Sequence, residues 1–429
     1  MSEQEKFDAI VLGAGPAGSA CAYTLAKAGK SVILIERGDS PGSKNVTGGR
    51  LYTYALNMLD PEIVKEAALE RIVTQEDIMM LSGDKALIIK YQDPSFGNPE
   101  EYPHSCTVLR AKFDGWLAGK AEEMGAFLAC GIKVDELIEE NGKIVGVKAG
   151  EDEMYADVVI AADGVNSLIG QKAGLIEEKR THLGVGVKEI IELPAKVIEE
   201  RFNLEENEGA ARVILGCTEG IHGGGFLYTN RESISLGCVF LPEEAAQKGK
   251  SVHELFQDFK MNPAIYNLLK EGKTVEYGAH LVCEAGYRGI PKKLYREGLL
   301  LIGEAAGFVI NTGYSIRGID LAIVSGIAAA KAVISSEKTA DVGPVYLREL
   351  ETTELIPTMK AVDGYFNILD TEWLYDKVPN LAVDIFGSLF TVTGKTPESI
   401  KKLAFGAIKN HDLTLWELAK FAIKGVRSL

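Results

Sequence analysis

The sequence predicts an α/β protein in which a mostly parallel sheet flanked by helices is interleaved with a second, α+β domain and followed by a helical C-terminal region. Residues 7–12 and 31–36 are short apolar runs rich in β-branched side chains, joined by a helix-forming segment. The segments ARVILG, GGFLYTN and SISLGCVFL, within residues 211–241, are typical strands of an antiparallel sheet. The end of the chain is predicted to be helical and divided by Pro357, Pro379 and Pro397.

Length, composition and charge narrow the functional classes. The 429 residues suit two or three domains, and 46% apolar with 25% charged residues is ordinary globular composition. The formal net charge of −15 argues against a nucleic-acid partner, because phosphate contacts need clustered Lys and Arg.

No membrane-spanning or secretory segment is predicted. The first residues are polar and acidic, and no window reaches the ~20 uninterrupted apolar residues of a span. The six cysteines show no metal-binding spacing and fit buried thiols in a reducing cytosol. We therefore expect a cytoplasmic protein, either free or peripheral on the inner face of the cell membrane.

The segment after the first strand has the form of a dinucleotide-binding turn. It runs Gly13-Ala14-Gly15-Pro16-Ala17-Gly18 into a helix. Gly13 permits the tight turn, Gly15 lets the backbone approach a pyrophosphate, and Gly18 lets helix and strand pack closely. Glu36, at the end of the second strand, can accept hydrogen bonds from ribose hydroxyls, which disfavours NADP. This part of the sequence alone does not separate NAD from FAD.

Three later segments distinguish an FAD site from an NAD site by resemblance. A strand ends at Asp163-Gly164, another runs into Gly303-Glu304, and residues 311–315 lead into a small-residue helix. This arrangement resembles the FAD-dependent oxidoreductases that include aromatic hydroxylases and geranylgeranyl reductases. The resemblance implies a Rossmann-like FAD-binding domain of the glutathione-reductase and hydroxylase type. It implies that residue 304 holds the ribityl chain, although this chain has Glu304 where that family has aspartate.

The same resemblance implies further FAD contacts. Arg110, at a predicted helix start, corresponds to an arginine near the FAD phosphates; a plain surface arginine is the alternative. Val134, in a short predicted strand, corresponds to a residue whose backbone contacts adenine. The residues expected to bind FAD are Gly13, Gly15, Pro16, Ala17, Gly18, Glu36, Arg37, Lys44, Gly48, Arg110, Val134, Asp163, Gly303, Glu304 and Gly313.

A more specific resemblance covers nearly the whole chain. The segments KNVTGGRLY (44–52), GVGVKE (184–189), GGGFLYTN (223–230) and 303–318 resemble electron-transfer-flavoprotein:quinone oxidoreductases, and KNVTGG resembles their FixC branch. The resemblance implies electron transfer from a two-subunit electron-transfer flavoprotein to a membrane quinone, with electron bifurcation left open. The last 146 residues (429 − 283) contain no cysteine for a four-iron cluster, which implies a separate small ferredoxin-like subunit.

The domain limits expected from this pattern are discontinuous. We assign the FAD-binding domain to residues 1–80, 105–190 and 290–345, the quinone or substrate domain to residues 81–104 and 190–290, and the helical region to residues 346–429. Residues 398–429 contain a basic amphipathic pattern that can lie on a membrane, pack on its own domain or pack on a partner.

No side chain is assigned as catalytic acid, base or metal ligand. The six histidines show no metal spacing, and Gly223–Gly225 fits either close approach to a ligand or a tight hairpin. One alternative function is an FAD enzyme that reduces a prenyl lipid or hydroxylates a phenol. Another is an assembly subunit whose flavin does not turn over.

Overall fold

The computed structural model describes residues 6–44, 48–97, 102–177, 182–411 and 413–428. In chain order its strands are β1 (Lys6–Leu12), β2 (Val32–Ile35), β3 (Gly48–Tyr52), β4 (Ile72–Ser82), β5 (Lys85–Gln92), β6 (Ser105–Leu109), β7 (Phe127–Ala129), β8 (Glu136–Glu140), β9 (Lys143–Ala149), β10 (Asp152–Ala161), β11 (Leu183–Glu192), β12 (Glu208–Leu215), β13 (Gly223–Thr229), β14 (Ser233–Phe240), β15 (Lys273–Cys283), β16 (Tyr295–Arg296), β17 (Leu299–Leu301), β18 (Ile310–Asn311) and β19 (Ile316–Arg317).

The helices alternate with these strands and dominate the last quarter of the chain. They are α1 (Pro16–Lys27), α2 (Tyr54–Leu59), α3 (Ile63–Glu66), α4 (Arg110–Glu123), α5 (Leu168–Lys172), α6 (Ala195–Phe202), α7 (Pro242–Gln247), α8 (Val252–Met261), α9 (Pro263–Leu269), α10 (Ile319–Ser335), α11 (Thr339–Thr352), α12 (Leu355–Ala361), α13 (Tyr365–Leu369), α14 (Lys377–Phe390), α15 (Ile400–Asn410) and α16 (Leu415–Ser428). Short 3-10 turns lie at Pro94–Gly97, Gly286–Gly289, Gly303–Ala306 and Glu372–Leu374.

The first sheet has the order β16-β17-β10-β1-β2-β7, and its strands from β17 to β7 are parallel. The hairpin β8–β9 joins it antiparallel through β10. Strands β1, β2 and β17 are short apolar runs because helices cover both faces of a parallel sheet. The predicted α/β fold class is confirmed.

The second sheet has the order β15-β11-β14-β13-β12-β4-β6-β3, with β5 paired to β4. Its neighbours are antiparallel except β12 and β4, which are parallel. The three predicted strands lie here as β12, β13 and β14. Helices α8 and α9 cover one face through Phe256, Phe259 and Ile265, which belong to the same buried cluster as Leu236 on β14.

The sheet pairing crosses the expected domain limits, which stay a prediction. Strands β3, β4, β6 and β11 belong to the second sheet, whereas residues 1–80 and 105–190 were assigned to the first domain. The apolar pattern of a strand indicates that it is buried, but its sheet is chosen by backbone pairing with partners far away in sequence. The chain therefore crosses between the two sheets more often than the motifs indicate.

The C-terminal helices also differ in detail from the prediction. Pro357 and Pro379 are each the third residue of a helix, in α12 and α14, rather than separators between helices. A proline is tolerated there because first-turn N–H groups have no partner within the helix. Pro397 does precede a helix, α15. No described helix combines the length and apolar composition that a bilayer span requires.

Helices α1 and α10 cross at near backbone contact beside the first sheet. A Cβ atom added to Gly326 on α10 would lie 2.3 Å from the Ala17 carbonyl oxygen on α1. Gly18 has the same role at the other side of α1, where a Cβ would lie 1.9 Å from the Gly13 oxygen. Two main chains, rather than flexible side chains, would have to separate to admit a methyl group.

We predict that Gly326→Ala destabilises the protein by about 1–3 kcal/mol, the usual cost of overpacking. The matched control is Gly119→Ala on α4, where an added Cβ meets no atom within 4 Å. That control should stabilise the protein by up to about 1 kcal/mol, because alanine has the higher helix propensity. Denaturant unfolding of both variants measures the difference, and equal midpoints would contradict the close crossing of the two helices.

Candidate functional site

The candidate site lies at the carboxyl ends of the parallel strands. The strand register places Leu12 beside Ile35 and Ala161, and Ala161 beside Leu301. The segments that follow β1, β2, β10 and β17 therefore begin at one edge of the sheet. Ligands bind open α/β sheets at this edge. The structure thus brings together the predicted glycine turn and the segments at Glu36, Asp163 and Gly303.

The turn after β1 leaves backbone room for a ligand. Gly13 has φ +104°, and a Cβ there would lie 2.4 Å from the Ala162 oxygen. A Cβ on Gly15, by contrast, would meet only the Arg110 Nη2 atom, at 3.9 Å. Helix α1 begins at Pro16 without a side-chain cap. Its free N–H groups and helix dipole favour a phosphate in the space before Gly15.

Glu36 follows β2 and its carboxylate is held in place by backbone donors. Its two oxygens accept hydrogen bonds from the Ala14 N–H at 3.0 Å and the Gly38 N–H at 2.6 Å. A carboxylate has enough lone pairs to accept ribose hydroxyls as well. Arg37 and Lys44 lie exposed next to it, where the Lys44 ammonium approaches the Arg37 carbonyl oxygen at 3.4 Å.

Arg110 is the first residue of α4, as predicted, and its side chain is fixed. The guanidinium donates two hydrogen bonds of 2.8 Å to the two oxygens of Asp114, one turn later and fully buried. Bidentate pairing holds the planar group in one orientation. Asp114 therefore positions Arg110 at the mouth of the glycine turn, and no sequence motif pointed to Asp114.

Lys188 and Glu304 extend this charged group across the junction of the two sheets. Burial lowers the pKa of Lys188 to about 8; nearby Arg110 also lowers it, and Glu304 opposes both. Burial raises the pKa of Glu304, opposed by His280, Arg110, a hydrogen bond from the Cys283 backbone and Lys188. Lys188 comes from β11, in the second sheet, whereas Glu304 follows β17 in the first.

Two predicted residues have structural contacts of their own. Asp163 accepts hydrogen bonds from the Ser167 hydroxyl and the Ile169 N–H, both at 2.9 Å, at the start of α5. Val134 was predicted within a strand, and that is wrong: it lies in the segment between β7 and β8. Its side chain packs on the core of the first domain.

The remaining predicted glycines differ in the room around them. Gly303 and Gly313 have φ of +61° and +82°, and a Cβ on Gly303 would lie 2.8 Å from that of Ala17. Gly48 faces the Ser235 hydroxyl so closely, 1.9 Å from an added Cβ, that no side chain fits. The adjoining residues 45–47 of the KNVTGG motif lie outside the described residues.

The residues present fit FAD. The open space before Gly15 is where a pyrophosphate meets α1, and Arg110 lies at its rim. Glu36 is oriented for a ribose, and the segments at Gly303 and Gly313 continue the site toward the second sheet. Bound FAD supplies two-electron and one-electron transfer, while the chain supplies position and charge. Among the described residues, no cluster of His, Cys, Asp or Glu could hold a metal ion.

Sequence reasoning missed Lys188, although it lies within the segment 184–189 that was singled out. Its position on β11 gave no indication that its side chain interacts electrostatically with Arg110 and Glu304 across the junction of the two sheets. Asp114 and His280 were missed for the same reason, because each acts through a contact made by folding.

We predict that FAD affinity falls as the pH rises through about 8, the pKa of Lys188. Lys188 is cationic below that pH and neutral above it, and the FAD phosphates attract the cation. Binding should therefore weaken by up to about tenfold per pH unit above the transition, the limit for one linked proton. Titration of the apoprotein with FAD, followed by flavin fluorescence, measures it.

The control for this prediction is Lys112→Met, which removes an exposed lysine on α4 that pairs with Glu70. It should keep the pH dependence, whereas Lys188→Met should weaken binding at neutral pH and abolish the dependence. An unchanged pH profile in Lys188→Met would contradict the assignment.

Comparison with known protein families assigns three regions of the chain. Residues 6–203 match the family described as "FAD binding domain", residues 183–282 match "ETF-QO, ubiquinone-binding", and residues 366–429 match "ETF-QO/FixC family C-terminal domain". The first match covers the glycine turn, Glu36 and Arg110. The predicted FAD cofactor is thereby confirmed.

Similar proteins span the whole chain. The "Probable electron transfer flavoprotein-quinone oxidoreductase YdiS" of Escherichia coli K12 is 42% identical over 431 residues, covering 99% of both chains. "Protein FixC" of the same strain is 45% identical over 408 residues, covering 94% of both chains.

Solved structures share the fold at lower identity. A geranylgeranyl bacteriochlorophyll reductase-like protein from Thermoplasma acidophilum has a TM-score of 0.70 at 24% identity, covering 97% of this chain and all of the other. The flavin-dependent brominase Bmp2 has a TM-score of 0.64 at 16% identity, covering 95% and 99%. On its full-length relatives and its matching FAD and C-terminal regions, the chain belongs to the ETF-QO/FixC family of FAD-dependent oxidoreductases.

Proposed function

We propose that this chain accepts electrons from a two-subunit electron-transfer flavoprotein and passes them to a membrane quinone, within a multi-subunit complex. The observation that carries the proposal is its 42–45% identity, over 94–99% of its length, to proteins named FixC and electron transfer flavoprotein-quinone oxidoreductase. Identity at this level extends over both sheets and the C-terminal helices, which supports the same arrangement of cofactor and substrate sites.

We place the quinone head at one edge of the second sheet. Strand pairing sets Gly223 beside Phe240, and Leu183 beside Cys283, so the ends of β11, β13, β14 and β15 meet there. The flavin end of the site adjoins this edge, because the Asn311 amide lies 3.5 Å from Glu284 Oε1. Electron transfer from the flavin to the quinone head would then cross only the junction of the two sheets.

The glycine run 223–225 forms part of this edge. A Cβ on Gly223 would lie 1.9 Å from the Val239 oxygen, and one on Gly225 would lie 2.8 Å from Phe259. Close packing in the second sheet therefore accounts for Gly223 and Gly225 without a ligand. A Cβ on Gly224, between them, would likewise lie 3.1 Å from the Ile214 oxygen, so close packing accounts for the whole run.

Among the described residues, the six free cysteines form no cluster that could hold an iron–sulfur centre. The sequence has no cysteine after Cys283, and residues 366–429 form helices where they are described. We therefore propose a separate small ferredoxin-like subunit as a partner. Helices α13–α16 contain no cysteine for such a cluster. We propose that these helices contact the subunit.

The rival function is reduction or hydroxylation of a small molecule. The fold is shared with a geranylgeranyl reductase-like protein, but at an identity that supports the fold alone. The two functions differ in the electron donor, which is a protein in one case and a nicotinamide in the other.

Anaerobic mixing separates the two functions. We predict that reduced electron-transfer flavoprotein bleaches the visible flavin band of the purified chain, and that a soluble quinone analogue restores it. The cluster-bearing subunit is included in one arm and omitted in a second. Bleaching by NADPH with a prenyl lipid or a phenol, and none by the flavoprotein, would favour the rival instead.

We further propose that the C-terminal helices contact the membrane surface. Phe390 at the end of α14 is 79% exposed and Trp416 on α16 is 66% exposed. Helix α15 carries Lys401 and Lys402 beside the exposed side chains of Ile400 and Phe405. Helix α16 carries Lys420 in addition to Trp416. Exposed aromatic side chains beside lysines are typical of an interfacial segment. Part of α16 also packs inward, since Phe421 stacks on Trp373 at 6.3 Å.

We predict that the double variant Phe390→Ser, Trp416→Ser binds anionic vesicles at least about tenfold more weakly, because burial of one such side chain is worth roughly 1.5–3 kcal/mol. Sedimentation with phosphatidylglycerol vesicles measures the bound fraction. The control is Phe127→Ser, a 62% exposed phenylalanine in the first sheet, which should bind like the wild type. Equal binding of all three proteins would contradict membrane contact through these helices.

A further inference from the structure

Glu284 is a carboxylate at the proposed quinone edge for which the FAD site has no use. It follows the last residue of β15, and its N–H donates to the His182 oxygen at 3.0 Å. Its carboxyl carbon would lie 3.5 Å from a Cβ on Gly184, the second residue of β11. Glycine at this position therefore leaves the carboxyl group facing the ends of the strands without an intervening side chain.

The groups around Glu284 come from several elements. The Asn311 amide is its nearest hydrogen-bond donor, at 3.5 Å. His222, just before β13, faces it and lies 2.7 Å from Glu244 on α7. Tyr375, next to α14, lies against the His222 ring at 5.0 Å. Cys238 on β14 is a further titratable group within its field.

The carboxyl group titrates in the neutral range. Removal from bulk water raises the pKa of Glu284 to about 7, against the opposing effects of Asn311 and His222. No described basic side chain forms an ion pair with it, within the ranges that the structure covers. A carboxyl group with such a pKa holds a proton near neutral pH and can also release it.

Glu284 lines a small cleft on the outer side of the strand ends. The cleft is also lined by Tyr287, Asn311, Asp363 and Phe366, among others. At its outer side the Asp363 carboxylate pairs with the Arg288 guanidinium at 3.0 Å, and both side chains reach solvent. The carboxyl group thus lies between a solvent-facing cleft and the strand ends of the second sheet.

We propose that Glu284 transfers a proton from this cleft to the quinone head at the edge of the second sheet, which rests on the proposed function. The quinone takes two electrons from the reduced flavin and two protons. The Glu284 O–H bond breaks as an O–H bond forms on one quinone oxygen, and water in the cleft returns a proton to the carboxylate. The second proton comes from solvent, which also takes up the proton that the flavin releases when it is oxidised.

The test uses the FAD-loaded full chain, reduced with dithionite and mixed anaerobically with a soluble quinone analogue. In the wild type the rate of flavin reoxidation should fall as the pH rises through about 7, because the carboxyl group loses its proton. Glu284→Gln should be slower by about 100-fold, a typical loss for a general acid, and should lack that pH dependence. Glu284→Asp should retain the pH dependence.

The matched control is Glu276→Gln, an exposed glutamate on the same strand, which should behave as the wild type. A readout independent of turnover is the infrared band of a protonated carboxyl group, which should titrate in the wild type and in Glu276→Gln and be absent from Glu284→Gln. FAD content reports whether each variant has folded.

The outcomes separate this proposal from the proposed function. If wild-type flavin reduces quinone and Glu284→Gln keeps both its rate and its pH dependence, Glu284 is not the proton carrier, while the proposed function stands. If reduced wild-type flavin does not react with quinone at any pH, both are overturned, whatever the infrared band shows.

Discussion

The register of the parallel strands in the first sheet is the constraint on which the rest of the structure depends. Leu12, Ile35, Ala161 and Leu301 end their strands side by side, so four segments with different sequences begin at one edge. A slip of one residue in any pair would exchange side chains between the two buried faces and separate these segments. The register is fixed by burial on both faces of the sheet, and the FAD site is a consequence of it.

Close backbone approach is the second requirement, and it explains where glycine occurs. Gly13, Gly18 and Gly326 each stand where another main chain lies too near for a Cβ atom. Together they allow α1 to pack closely against both the carboxyl ends of the parallel strands and α10. These three glycines thus set the packing of the first core, whereas Gly15 beside them leaves room for a pyrophosphate.

Charge is concentrated where the two sheets meet. Arg110, Lys188 and Glu304 come from three distant parts of the chain and influence one another's protonation. Farther along the same junction, Glu284 shifts its pKa through loss of water rather than through an ion pair. The junction therefore offers a cationic end toward the phosphates and a protonatable end toward the proposed quinone edge.

The sequence by itself determined the α/β class, the glycine turn, Glu36 and the helix start at Arg110, because each depends on contacts within a few dozen residues. It could not assign β3, β4 and β6 to a sheet, nor show that Asp114 fixes Arg110 or that Lys188 interacts with Arg110 and Glu304. It gave no sign that Cys217 and Cys238 lie with their sulfur atoms 3.7 Å apart. The local sequence pattern indicates how deeply a segment is buried. The partner of a strand or of a charged side chain lies far away in sequence, so it is determined only when the whole chain folds.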